Sequence, residues 1–290
     1  MGTAAFAVPS LRALHDAGHR LELVVTQPDR PGNRLRITPP PVKVAALELG
    51  LEVFQPERIK AEESVARIAS VAPELIVVVA YGQIIPPSIL EIPPRGVLNV
   101  HASLLPRHRG AAPINRAILA GDRTTGVTIM RMDEQLDHGP ILSAREVEIG
   151  PEEDAVSLGE RLARLGAELL VETIDRLDRI RPVEQDHARA TLAPRLVKQE
   201  GELSWDLSAE EIDRRVRGLR PWPGVTLPLG GVRVKVLRGR PLGGSGRPGQ
   251  VLRRSREGVE VAAGHGSYLL QEIQLPGKRP APAQAVVGHA

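Results

Sequence analysis

Residues Leu75–Ala80 read LIVVVA, apolar at every position. A strand with one wet face alternates polar and apolar residues, so an unbroken run predicts a strand covered on both faces, as in a parallel sheet flanked by helices. Outward from it, Val97–Val100 (VLNV) and Leu51–Phe54 (LEVF) read as further strands, and Leu21–Thr26 (LELVVT) as a β-branched stretch ending in the turn Gln27-Pro28-Asp29. Between them, Val42–Leu49 has helical spacing and stops at Gly50, and Ile59–Val71 repeats its apolar residues every 3.6 positions. Strand and helix alternate, which predicts an α/β, Rossmann-like, mostly parallel sheet with crossover helices. Val127–Met132 and Ile141–Ile149 are expected to extend the sheet, and Ala155–Leu177 to form one long amphipathic helix. Ala4–Leu14 reads as the first helix. The chain opens at Met1-Gly2-Thr3 already in a turn, so the strand that normally feeds this helix is expected to be missing.

The character changes further on. Short strand-like runs at Thr226–Leu229, Val232–Leu237, Gln250–Leu252, Val259–Ala262 and Ser267–Ile273 are separated by Gly- and Pro-rich turns, which suits a small, OB-like β-barrel. One helix, Ala209–Leu219, precedes them, with Ser208 as N-cap and Glu211 completing a capping box. The expected division is a catalytic domain over 1–185, a linker over 186–203 and a C-terminal barrel over 204–290. Gly244-Ser245-Gly246-Arg247-Pro248-Gly249 fits a dinucleotide fingerprint only by letter. It precedes a strand and contains Pro, so a turn is expected there.

Composition removes several function classes. The 290 residues contain no Cys, which excludes a disulfide scaffold, a thiolate metal site and a cysteine nucleophile. No apolar run is long enough for a membrane span and no secretory signal opens the chain, so a cytoplasmic protein is expected. The net charge of +3 is unevenly spread: residues 1–194 carry 22 Lys and Arg against 26 Asp and Glu, and residues 195–290 carry 16 against 9. A basic final third on a mildly acidic body points to an anionic partner, with nucleic acid the first candidate.

The densest chemistry lies in Asn99-Val100-His101-Ala102-Ser103-Leu104-Leu105-Pro106, continuing Arg107-His108-Arg109-Gly110. Positions 99 and 101 share one face of a strand because the side-chain period is two. A carboxamide and an imidazole thus project together from a strand's carboxyl end, where open α/β sheets place their sites. Such a pair can hold a carbonyl oxygen as it gains negative charge. A second segment, Asp133-Glu134-Gln135-Leu136-Asp137-His138-Gly139-Pro140, lies between two expected strands. Asp137 there could reach His101, orient the ring and strengthen it as a donor; Asp133 and Glu134 read as solvated or capping residues. A metal held by His101, Asp137 and His138 is a weaker reading, because the spacing is irregular. Arg107, His108 and Arg109 suit either a polyanion contact or a loop rim.

These residues resemble a known family. Asn99-x-His101-x-Ser103-Leu104-Leu105-Pro106 with Arg109-Gly110, and Leu136-Asp137-x-Gly139, are similar to the folate-dependent formyltransferases. Thr26-Gln27-Pro28-Asp29-Arg30-Pro31, Pro41-Val42-Lys43, Val78-Val79-Ala80-Tyr81-Gly82, Gly126-Val127-Thr128-Ile129-Met130 and Pro221-Trp222-Pro223 extend the likeness to the branch that acts on aminoacylated initiator tRNA. The resemblance implies a catalytic set of Asn99, His101 and Asp137. It implies 10-formyltetrahydrofolate as formyl donor, bound without a metal near Tyr81, Gly82, Ile84, Ser103, Leu104, Leu105, Pro106, Leu136 and Gly139. The acceptor would be the amine of methionine on initiator tRNA, met by Arg30, Arg34, Arg36 and Lys43, for translation initiation by a monomer. The alternative acceptor within the same family is an amino-sugar nucleotide. The stretch Gly32-Asn33-Arg34-Leu35-Arg36 is shorter than the family's usual basic loop and has no Lys.

Overall fold

The structure, a computed structural model, describes residues 1–31 and 37–286. It divides into two units. One comprises Met1–Pro113, Thr124–Glu148 and Gly159–Ala193; the other takes in Ile114–Arg123, Ile149–Leu158 and the chain from Pro194 onward.

In the first unit, β1 (Val24–Val25) pairs in parallel with β2 (Val53–Phe54), and β3 (Ile76–Val78) pairs in parallel with β4 (Val97–His101). Beyond β4 the sheet changes sense. β5 (Thr124–Arg131) runs antiparallel to β4, and β6 (Ile141–Glu148) antiparallel to β5. The added strands are therefore present, but they form an antiparallel wing: β5 and β6 join through the short loop 132–140, and a hairpin needs no crossover helix.

Where no strand was expected ahead of the first helix, Met1 and Gly2 pair with their neighbours. The Met1 amine donates to the Val77 carbonyl at 2.6 Å, Val79 N–H to the Met1 carbonyl at 2.9 Å, and Gly2 N–H to the Val25 carbonyl at 2.9 Å. Met1 and Gly2 thus sit between β1 and β3, with Gly2 in a parallel bridge to Val79. A cavity of about 470 Å³, lined in part by Met1, Val24, Val25, Ile76 and Val77, lies beside them. Burial pushes the Met1 amine down to about 5, since a charge there loses its water.

The helices follow the apolar periods with trimmed ends. α1 (Val8–Asp16), α2 (Pro41–Glu48) and α3 (Glu62–Ser70) cover the parallel part, and α4 (Ala155–Asp175) is the long helix expected. One core gathers Val25, Ile68, Ile76, Val78, Val97 and the ring of Tyr81. On α4, a Cβ at Gly166 would stand 2.9 Å from a methyl of Val100 and 3.3 Å from one of Val127. The missing side chain is what lets this helix approach β4 and β5 closely.

The second unit is built on an antiparallel sheet. β7 (Val225–Leu229), β8 (Val232–Leu242), β11 (Ser267–Gln274), β10 (Gly258–Ala262) and β9 (Val251–Ser255) are adjacent in that order, and β12 (Ala281–Pro282) adds to β11. A closed barrel was expected. Among the described residues β7 pairs with β8 and, by a single parallel bridge at Thr226, with Glu202, while β9 pairs with β10; β7 and β9 do not pair with each other, so the sheet stays open. Its inward residues, including Val225, Leu227, Val234, Val259 and Leu270, bury against Ile212 and Val216 of α5 (Ala209–Gly218). α5 starts as its sequence requires: Ser208 Oγ accepts from Glu211 N–H at 3.2 Å, and the Glu211 carboxylate accepts from Ser208 N–H at 3.0 Å. Residues 244–249 form the expected loop between β8 and β9. No helix among the described residues is long and apolar enough to cross a membrane.

Candidate active site

β4 carries the two residues singled out on its face. Asn99 is half-buried, His101 is buried, and both turn toward Asp137. Asn99 Nδ2 donates to Asp137 Oδ1 at 3.3 Å, and His101 Nδ1 stands 3.6 Å from Asp137 Oδ2. The latter separation is too long for a direct hydrogen bond but close for two groups that exchange charge. His101 Nε2 lies 2.9 Å from the His108 carbonyl. A carbonyl only accepts, so Nε2 carries a proton and Nδ1 is the ring nitrogen left facing the carboxylate.

Asp137 reaches this position from the loop between β5 and β6. Its φ of 47° is left-handed, a conformation that Asp tolerates better than most residues. Its side chain is 12% exposed, and Oδ2 also accepts from Gly110 N–H at 2.8 Å. The carboxylate thus takes one side-chain and one backbone donor. Gly139 completes the loop: a Cβ there would fall on the Arg131 carbonyl.

The segment after His101 is fixed by one hydroxyl. Thr128 Oγ1 donates to the Ser103 carbonyl at 2.7 Å and accepts from Leu105 N–H at 3.1 Å. Ser103 Oγ donates to the Arg107 carbonyl at 2.6 Å, so its hydroxyl is held inside its own turn. Leu105 is buried, and Leu104 and Pro106 are half-buried. Arg109 differs from either reading of it. Its guanidinium is buried, with Nη2 donating to Gln185 Oε1 at 2.6 Å and to His187 Nδ1 at 2.8 Å.

The remaining residues divide by exposure. Tyr81 is buried, its ring in the core, while its carbonyl accepts from Thr3 Oγ1 at 2.7 Å and Gln27 Nε2 at 3.0 Å. Gly82 has φ 89°, and a Cβ there would collide with the Gln27 amide. Ile84 and Leu136 are 89% and 65% exposed, unusual for large apolar side chains. Arg30 is exposed. Lys43 Nζ donates to Asp29 Oδ2 at 2.7 Å, while Gln55 Nε2 donates to Oδ1 at 2.7 Å, and these partners hold the Asp29 carboxyl below its ordinary value, the Gln55 bond most of all. Arg34 and Arg36 lie outside the described residues.

His138 does not join His101 and Asp137 as a ligand set. Its Nδ1 lies 2.7 Å from Asp133 Oδ2, and its ring stacks on His187 with centroids 4.0 Å apart. Among the described residues no three His, Asp or Glu side chains gather as metal ligands. Sequence reasoning missed Gln185 and His187, which stand in a stretch without period or motif; a buried amide and an exposed imidazole beside a loop leave no local signal.

An amide, an imidazole and a carboxylate converge at the end of a strand, the carboxylate held by the Gly110 backbone donor and the imidazole by the His108 backbone acceptor, an arrangement suited to carbonyl-group transfer. The chain belongs to the formyl transferase family: residues 1–174 match "Formyl transferase" and residues 195–289 match "Formyl transferase, C-terminal domain". The curated relatives it is similar to are called methionyl-tRNA formyltransferase. One, from Citrifermentans bemidjiense, is 49% identical over 98% of this chain and 90% of its own length. Another, from Pelobacter propionicus, is 51% identical over 96% of this chain and 88% of its own. A solved structure of WlaRD, a sugar 3N-formyl transferase crystallised with dTDP and 5-N-formyl-THF, superposes with a TM-score of 0.68 at 16% identity, covering 96% of this chain and 97% of that one. That last likeness is one of fold.

Proposed function

We propose that this chain is an enzyme that transfers a formyl group from 10-formyltetrahydrofolate to the amino group of methionine on initiator tRNA, for translation initiation. The observation that carries this reading is the meeting of Asn99, His101 and Asp137 in a chain half identical, along nearly its whole length, to methionyl-tRNA formyltransferases.

Asn99 has two amide hydrogens and gives one to Asp137, so the other is available to a formyl oxygen. His101 presents Nδ1, which when protonated donates to the same oxygen as negative charge develops there. Asp137 orients the ring, offsets its charge, and takes part in removing the proton that the attacking amine must lose. Exposed Ile84 and Leu136, with the left-handed backbone at Gly82, suit a flat heterocycle with a polar edge. Around such a ring we assign Tyr81 and Gly82 through backbone groups, Ile84 and Leu136 through apolar contact, and Ser103–Pro106 and Gly139 as walls. The folate supplies the formyl carbon when bound.

For the acceptor we assign Arg30, Arg34, Arg36 and Lys43. The exposed Arg233, Arg238, Arg240, Arg253 and Arg254 on β8 and β9 would track phosphates. We read residues 1–185 as the catalytic domain, 186–203 as the linker and 204–290 as the tRNA-binding domain. We read the second unit as OB-like, a reading supported by the register shifts in β8 between Val236 and Gly239, since bulges are what curve a sheet. The enzyme is expected to act as a cytoplasmic monomer. The test is formyl transfer from 10-formyltetrahydrofolate to charged initiator methionyl-tRNA, with a dTDP-amino sugar as competing acceptor. Formylation of the sugar, with none of the tRNA, would overturn the reading.

A further inference from the structure

Asp137 stands on a loop with left-handed backbone, braced within its own hairpin by Asp133, which accepts from Gln135 N–H at 2.9 Å and meets His138 Nδ1 at 2.7 Å. A further hold comes from a side chain far along the chain. Gln185 is 5% exposed and its amide faces the loop from beneath. Its Nε2 donates to the Asp137 carbonyl at 2.9 Å and to the Gly139 carbonyl at 2.7 Å. Both amide hydrogens are thereby spent on the two residues flanking His138. Its Oε1 is held in turn by Arg109, from Nε at 3.2 Å and Nη2 at 2.6 Å, and Arg109 Nη2 also reaches His187 Nδ1 at 2.8 Å.

Orientation is thereby determined. A carboxamide can present its nitrogen or its oxygen, but the guanidinium only donates, so it fixes the oxygen toward Arg109 and the nitrogen toward the loop. Gly110, next to Arg109, donates to the same Asp137 whose carbonyl Gln185 holds. One residue pair therefore grips Asp137 by its backbone and its carboxylate together.

We propose that Gln185 is a positioning residue for the formyl transfer, which, anchored by Arg109, holds the Asp137 loop so that the carboxylate stays against Asn99 and His101. It touches neither substrate nor the reacting atoms. This inference rests on the reading of Asp137 as a site group. Its magnitude follows from geometry: misplacing a reacting group by about 1 Å costs about 10²-fold in rate.

The test uses the full chain, steady-state formylation of methionyl-tRNA and three variants. Gln185→Met keeps the length of the side chain without its donors and is expected to lower kcat about 10²-fold, leaving KM for both substrates within about two-fold. Gln185→Glu keeps the acceptor for Arg109 but sets a carboxylate against two carbonyls. Its rate, relative to the parent at each pH, is expected to rise as pH falls and the carboxyl gains the proton it needs to donate. A merely structural role gives no such recovery. Combining Gln185→Met with Asp137→Asn is expected to be no worse than Asp137→Asn alone, because the second change removes what the first misplaces. Should Gln185→Met keep kcat within about three-fold while Asp137→Asn is inactive, the clamp is wrong and the site stands. Should Asp137→Asn itself retain full activity, the site reading fails instead. Should Gln185→Met fail to fold, the pH profile of Gln185→Glu decides alone, and a flat ratio to the parent overturns the proposal.

Discussion

The backbone amide of Gly110 donates to Asp137 Oδ2 at 2.8 Å, joining two motifs 27 residues apart into one site. Without this bond the carboxylate would rely on a longer one from Asn99. The charge of Asp137 is thus held by two donors before any substrate arrives, and its function should depend on charge rather than on shape.

Asp137→Asn keeps the shape and removes the charge. Formyl transfer is expected to fall by about 10²- to 10⁴-fold, the range of a lost acid–base group, with a melting temperature close to that of the parent. Measuring kcat beside a thermal melt separates the two effects; a large drop in melting temperature would mean that the carboxylate is structural.

Gly139→Ala tests the loop itself. The added Cβ would meet the Arg131 carbonyl, a backbone atom that cannot rotate away. A loss of about 1–3 kcal/mol in stability is expected, together with reduced turnover as Asp137 is pushed aside. Denaturant unfolding and initial rates on the same preparation would show both.

In the second unit, Ser208→Ala removes the hydroxyl that accepts from Glu211 N–H at the start of α5. The expected cost is about 1 kcal/mol in urea unfolding, typical of a lost N-cap. An unchanged midpoint would show that the cap adds nothing beyond the packing of Ile212 and Val216.

Acid should weaken the pairing of Glu200 with Arg116. Hydrogen bonds from Arg116 hold the Glu200 carboxyl below its ordinary value of 4.5. The folded state therefore releases this proton more readily than the unfolded chain. Its stabilisation is complete above the ordinary carboxyl range and is lost as pH falls through the lowered value. Glu200→Gln should be less stable than the parent at neutral pH, and the gap should close on acidification.

Binding of tRNA should weaken steeply with salt, and Arg30→Ala should reduce the slope of log K against log salt by about one if that side chain neutralises a phosphate. A variant with lower affinity but an unchanged slope would place Arg30 away from the backbone of the nucleic acid.

Much of the architecture was legible because local period fixes which face a side chain occupies. The apolar run at Leu75–Ala80 became β3 between covering layers, and the pairing of Ser208 with Glu211 became the start of α5. Alternation along β4 put Asn99 and His101 on one side. Other features escaped. The antiparallel wing could not be told from a parallel continuation, since an apolar strand reads alike in either direction. The open end of the second sheet depends on which edges find partners, and that is settled between strands rather than within them.

The order of strands and helices, the charge of the C-terminal third and the shared face of Asn99 and His101 belong to the sequence alone, because each follows from composition or from neighbours a few residues apart. The approach of Asp137 to Asn99 across 38 residues, the grip of Gln185 on the Asp137 carbonyl across 48, and the burial of Arg109 against Gln185 across 76 belong to the tertiary structure. Spacing along a chain sets direction, but the distance between two directions is set by how the loops return, and only the folded packing fixes that.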